Sequence, residues 1–145
     1  MSGVKAEVGT VLLVFCNETQ IAWLRILKRG FRHVFIAQRV VGGWVTIDPL
    51  STRMEVEFHP MDPETNLASW FTLCGHRVVS AQVRGASEVP IGLPLAPLTC
   101  VSVAKRVLGI RVARILTPWQ LYRHLTERGC PEYRPVQGGR DHVPA

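Results

Sequence analysis

The stretch Phe31–Leu50, FRHVFIAQRVVGGWVTIDPL, decides the reading of this 145-residue chain. Two runs of β-branched and aromatic residues flank a pair of glycines, which is the pattern of a β-hairpin. Side chains alternate with period 2 along a strand, so Phe31, His33, Phe35 and Ala37 share one face of the first strand. Trp44, Thr46 and Asp48 share one face of the second. His33 and Asp48 fall on a common face only if an even number of residues separates paired positions. A six-residue loop, Gln38–Gly43, would set the two directly opposite, with Cβ atoms about 4.5–5.5 Å apart. A tight turn at Gly42-Gly43 would pair Asp48 with Ala37, about 13 Å along the strand from His33 at roughly 3.3 Å per residue. A working His33–Asp48 pair is therefore expected to exclude the tight hairpin.

Working outward, Val11–Phe15 is a continuous apolar run that predicts a strand buried on both faces. Asn17-Glu18-Thr19-Gln20 reads as a helix start with Asn17 as N-cap, Ile21, Leu24 and Leu27 follow at helical spacing, and Gly30 offers a left-handed stop. Beyond Pro49, Met54, Val56 and Phe58 alternate with Glu55, Glu57 and His59, predicting a half-exposed strand that extends the sheet. Residues 60–72 read as a loop or short helix, and Arg77–Arg84 as a further strand. Residues 85–98 are too rich in Pro and Gly for helix or central strand. Cys100, Val103, Ala104, Val107 and Leu108 then follow the spacing of a buried helical stripe that Gly109 ends. Ile110–Leu116 reads as a short strand or extended segment. Thr117-Pro118-Trp119-Gln120 is a helix start with an N-cap, Pro at the first position and a capping-box Gln, opening a last helix to about Arg128.

A chain of this length can bury a core without staples, and one domain over residues 1–129 with a flexible tail over 130–145 is expected. The four cysteines, at 16, 74, 100 and 130, form no CxxC pair, which favours free thiols in a reducing compartment. No basic-then-apolar leader is visible, and the apolar runs fall short of the roughly 20 residues of a membrane span. The expectation is a cytoplasmic protein, unless a phage particle or another carrier delivers it. The net charge is +6, but the basic residues are scattered. The aromatics show no base-stacking motif, so a nucleic-acid partner is disfavoured. Cys74-Gly75-His76 is one short-spaced ligand pair where structural zinc sites show two, so no metal site is expected.

Cys100, His33 and Asp48 are the candidate catalytic residues. A cysteine in the first turn of a helix faces unpaired N–H groups and the positive end of the helix dipole, which favour the thiolate. A histidine on a nearby strand can pair with it and later protonate a leaving group, while an aspartate fixes the ring tautomer. This chemistry requires no cofactor. The plain alternatives stay open: Cys100 as a core cysteine, His33 as a satisfied core histidine, Asp48 as a turn residue before Pro49.

The segment TCVSVAKRVLGIRVARILTPWQLYRHL resembles the nucleophile region of the permuted NlpC/P60 papain-like proteins, which include relatives of lecithin retinol acyltransferase. Matching elements are Cys100, Ser102, the Leu108-Gly109 stop and Thr117-Pro118, together with His33-Val34-Phe35-Ile36 and Asp48 upstream. The resemblance implies an α+β fold in which an antiparallel sheet packs against the nucleophile helix, in the circularly permuted order His, Asp, Cys. It implies a thiol hydrolase or acyltransferase acting on an amide, ester or thioester, with a peptide, a peptidoglycan fragment or a lipid as the acyl substrate. The alternative on the same scaffold is a catalytically silent interaction or phage-type assembly protein, with Val89–Leu98 as its contact surface.

Overall fold

The computed structural model describes residues 9–17, 27–50, 53–62, 64–83 and 100–134. Among them, five strands form one antiparallel sheet: β1 (Thr10–Cys16), β2 (His33–Val40), β3 (Gly43–Pro49), β4 (Met54–Pro60) and β5 (Arg77–Gln82). Their order is β4-β3-β2-β1-β5. The helices are α1 (Leu67–Leu73), α2 (Cys100–Leu108) and α3 (Pro118–Glu127). The class is α+β, as expected.

Sequence alternation sorts the sheet into two faces, and a helical layer covers each. Val11, Leu13 and Phe15 of β1 join Val34, Ile36 and Val79 under α2 and α3. Leu12, Val14 and Cys16 face the other way and join Ala37, Trp44, Val78 and α1. The continuous apolar run of β1 thus serves two cores, and the strand is buried from end to end. At about 25 cal/mol per Å² of apolar surface, such doubly covered strands supply most of the drive for the fold. β4 lies at the sheet's edge beyond the reach of α2 and α3. Met54, Val56 and Phe58, expected on a half-buried face, are instead exposed.

The helix termini follow their local chemistry. Thr117 accepts from the Gln120 N–H, and the Gln120 side chain accepts from the Thr117 N–H, completing the capping box of α3. Gly109 takes a left-handed φ of 69° and closes α2. Within residues 60–72, α1 starts only at Leu67. Asn66 caps it by accepting from the Ser69 N–H, whereas Asp62 accepts from the Glu64 N–H in a preceding turn. An Asn side chain can fill either role, so local sequence alone did not rank the two sites.

Three segments depart from the sequence reading. Ile110–Leu116 is irregular rather than a strand; Ile115 anchors it in the core, and the Lys105 ammonium donates to the Ile115 carbonyl. Cys130–Arg134, expected in the tail, runs beside β5, where the Ser80 N–H donates to the Pro131 carbonyl and the Tyr133 N–H to the Val78 carbonyl. The third is the β2–β3 connection. It is a two-residue turn, Val41-Gly42, with Val40 opposite Gly43 and Ile36 opposite Ile47. Gly42 carries the positive φ of 84° that such a turn requires. The tight hairpin that the sequence reading excluded is the one present, displaced by a single residue. The helix expected after Asn17 and the connection over 85–98 fall outside the described residues. None of the described helices is long and apolar enough to cross a membrane.

Gly43 is irreplaceable for steric reasons, because a Cβ there would collide with the His59 carbonyl of β4. Gly43→Ala should force β4 away from β3 and cost roughly 1–3 kcal/mol, the usual range for overpacking. The expected result is a lower urea midpoint in equilibrium unfolding with an unchanged slope.

Candidate active site

The even register decides the site. Continuing the β2–β3 ladder by one rung sets Asp48 opposite Phe35, so His33 and Asp48 are diagonal neighbours on one face. Diagonal pairs lie within reach of long side chains. His33 Nε2 and Asp48 Oδ1 are 2.6 Å apart. Parity, rather than direct opposition, was the requirement, and the tight turn meets it.

Several contacts fix the ring. His33 opens β2, paired with Cys16 at the end of β1. The preceding Arg32 N–H donates to the Cys16 carbonyl. Phe31, expected on the same face as His33, lies before the strand begins and turns to the α3 side. There its ring sits 4.8 Å from both Trp119 and Tyr122, centroid to centroid. Phe35, two residues beyond His33, packs edge-on against Phe71 of α1 at 5.2 Å. The histidine is thus held between two aromatic anchors belonging to different cores.

Cys100 is the first residue of α2, which lies against β2 and β3. Its side chain is partly buried against the α2–α3 core, while Val101 and Ala104 behind it are buried. Among the influences that raise the His33 pKa is the Cys100 side chain, which places Cys100 in the neighbourhood of the His33–Asp48 pair. Cys74 and Cys100 take part in no disulfide.

The electrostatics of His33 follow from this arrangement. Burial, the largest influence, opposes the charged ring. The hydrogen bonds to Asp48 and Cys100, with the negative charge each contributes, outweigh it and raise the pKa from 6.5 to about 9. The side chain is only 15% exposed, against 35% for Asp48.

Two features escaped the sequence reading. His59, assigned no role there, lies on the same face as Asp48, and its Nε2 is 2.9 Å from Thr46 Oγ1. Glu55 stands opposite Asp48, and Glu57 opposite Thr46, across the β3–β4 ladder. The alternation of β4 already carried this signal; what it lacked was the β3 register. Arg32, just before the strand, is half-buried, and its Nε is shielded from water without a hydrogen-bond partner among the described residues. Cys74 and His76 flank the turn from α1 to β5. Among the described residues no three His, Cys, Asp or Glu side chains cluster as metal ligands. No family model, curated protein or solved structure matches this chain.

The raised pKa of His33 has a stability consequence with a definite sign. The folded state holds the proton more tightly than the unfolded chain, so the stabilisation is complete below pH 6.5 and disappears as pH rises through about 9. On the order of 3 kcal/mol is at stake, at about 1.36 kcal/mol per pH unit. Urea unfolding at pH 6 and pH 9.5 should show this loss in the native chain. His33→Gln should show a correspondingly flatter profile, and Asp48→Asn should move the ring's NMR titration back toward 6.5.

Proposed function

We propose that the chain is a thiol hydrolase or acyltransferase whose nucleophile is Cys100, with His33 as proton carrier and Asp48 as the group that orients and charges the ring. The observation that carries this reading is the His33–Asp48 contact at 2.6 Å, with Cys100 near enough to contribute to the raised pKa of the same ring. The helix-start position of Cys100 and the order His, Asp, Cys along the chain support a permuted papain-like arrangement.

The reaction begins with attack of Cys100 Sγ on the carbonyl carbon of an amide, ester or thioester. The C–S bond forms and the carbonyl π pair moves onto oxygen. The Cys100 backbone N–H at the start of α2 is oriented as one donor to that oxyanion. With Nε2 engaged by Asp48, the Nδ1 side of His33 serves the sulfur and the leaving group. Collapse of the intermediate breaks the bond to the leaving group, which departs with the His33 proton and leaves a thioester on Cys100. Water, or an alcohol or amine acceptor, then attacks the thioester and gives its proton to His33, and the free thiolate–imidazolium pair returns.

A second reading, a silent interaction protein on the same scaffold, draws on the exposed apolar stripe Met54, Val56 and Phe58 of β4. The contact surface first considered for it, Val89–Leu98, lies outside the described residues.

Cysteine alkylation separates the two. With iodoacetamide at pH 6.5 and peptide mapping of each cysteine, Cys100 should react faster than Cys74, although Cys74 is the exposed one. His33→Ala should remove that advantage. On an activated thioester the same variant should lose about 10²–10⁴-fold in turnover, the usual contribution of a positioned acid–base group. A Cys100 that reacts no faster than Cys74, or that is indifferent to His33, overturns the catalytic reading.

A further inference from the structure

A groove of about 470 Å³ runs from Asp48 along the α1 face of the sheet. This lies within the range of small-ligand sites. One wall is apolar, formed by Met61, Leu67, Trp70 and Phe71, and Phe35 sits at its base. The opposite rim is acidic, formed by Glu55 and Glu57 of β4, with His59 beyond them. No Lys or Arg lines the groove among the described residues, in a chain whose net charge is +6.

The register crowds the carboxylates. Asp48 faces Glu55 directly across the ladder, and Glu57 is the next residue on the same face. Like charges opposite one another destabilise a sheet unless something compensates. Asp48 is answered by His33, and Glu55 by Arg53 at 2.8 Å. Glu57 stands 3.7 Å from the His59 ring, and its side chain is 68% exposed. The Arg53–Glu55 pair is itself exposed on both sides and so weakly held. Glu55 and Glu57 therefore present negative charge to a groove that Trp70 and Phe71 also line.

We propose that this groove is the specificity subsite of the Cys100 centre and takes a peptide-like chain carrying a cationic side chain, lysine or arginine, next to an apolar one. This assignment rests on the catalytic reading above and extends it to the substrate class. The apolar residue lies against Trp70 and Phe71, and the cation sits between Glu55 and Glu57, where Trp70 can add attraction from its ring face. Because Asp48 both lines the groove and bonds His33, a chain bound in this way lies beside the His33–Asp48 pair.

Binding of two unreactive dipeptides tests the assignment without any need for turnover. Acetyl-Phe-Lys-amide and acetyl-Phe-Glu-amide are titrated into the full chain and followed by NMR at the Trp70 indole N–H, assigned with Trp70→Phe. The lysine dipeptide should bind at least 10-fold more tightly than the glutamate one at low salt, and added salt should narrow the gap. Glu57→Lys should reverse the preference, and Glu57→Gln should reduce it. Equal affinities in the native chain, or a preference untouched by Glu57→Lys, overturn the subsite. The milder Glu57→Gln keeps the test decisive if the lysine variant fails to fold. The alkylation experiment reports separately on Cys100. A lysine preference without His33-dependent thiol reactivity would leave a cationic-peptide groove standing and remove the catalytic reading.

Discussion

An imidazole shielded from water stays charged only if nearby anions outweigh the hydration it has lost, and His33 meets this condition through Asp48 at 2.6 Å and through Cys100. The rest of the architecture can be understood from that requirement. Asp48 reaches the ring because the Val41-Gly42 turn keeps β2 and β3 in an even register. Cys100 reaches it because α2 starts beside β2, held down by Val101 and Ala104 in the α2–α3 core. The backbone that carries the ring is anchored on both sides, since Phe31 packs against Trp119 and Tyr122 on one side of the sheet and Phe35 against Phe71 on the other. Two cores that share one central strand therefore converge on a single side chain.

Much of this was legible in the sequence where local chemistry and tertiary packing agree. The apolar run of β1, the stripe of α2 with its glycine stop, and the Thr117–Gln120 capping box all appear where their residues predicted them. The His33–Asp48 pair was legible as a matter of parity. Its geometry was not, because strand alternation fixes the face of a side chain but not the register, and so does not distinguish direct opposition from the diagonal contact present. The choice of Asn66 as the α1 cap, whose side-chain amide N–H also donates to Tyr133 Oη, and the docking of residues 131–133 on β5 involve neighbours far away in sequence. No local pattern encodes them. The apolar residues of β4 misled for a related reason: alternation shows that a strand has an apolar face, but not whether a helical layer extends far enough to cover it.

Charge in this molecule is segregated rather than merely positive. Its excess of basic residues is spread along the sequence, while Asp48, Glu55 and Glu57 gather on one patch of the β3–β4 ladder. The same alternation that turns Met54, Val56 and Phe58 to one side turns these carboxylates to the other, toward α1. A solvated acidic face would be unremarkable on its own. Here it borders an aromatic wall and adjoins the carboxylate that charges His33, so ligand charge and ring protonation are linked through space. A cation bound at the rim would compete with the imidazolium for the field of Asp48, and its distance from the ring would set how strongly.

The protonation state of His33 also constrains the order of events in the proposed reaction. A ring that holds its proton up to about pH 9 is already charged at neutral pH, so it cannot be the base that removes a proton from the thiol during attack. Its useful role is that of an acid, a proton poised for the leaving group. Asp48 favours the imidazolium, and that preference is what the ring must give up when it later releases its proton. The tight diagonal contact is suited to that task, because a carboxylate fixed on a neighbouring strand stays in place while the ring alternates between its charged and neutral forms.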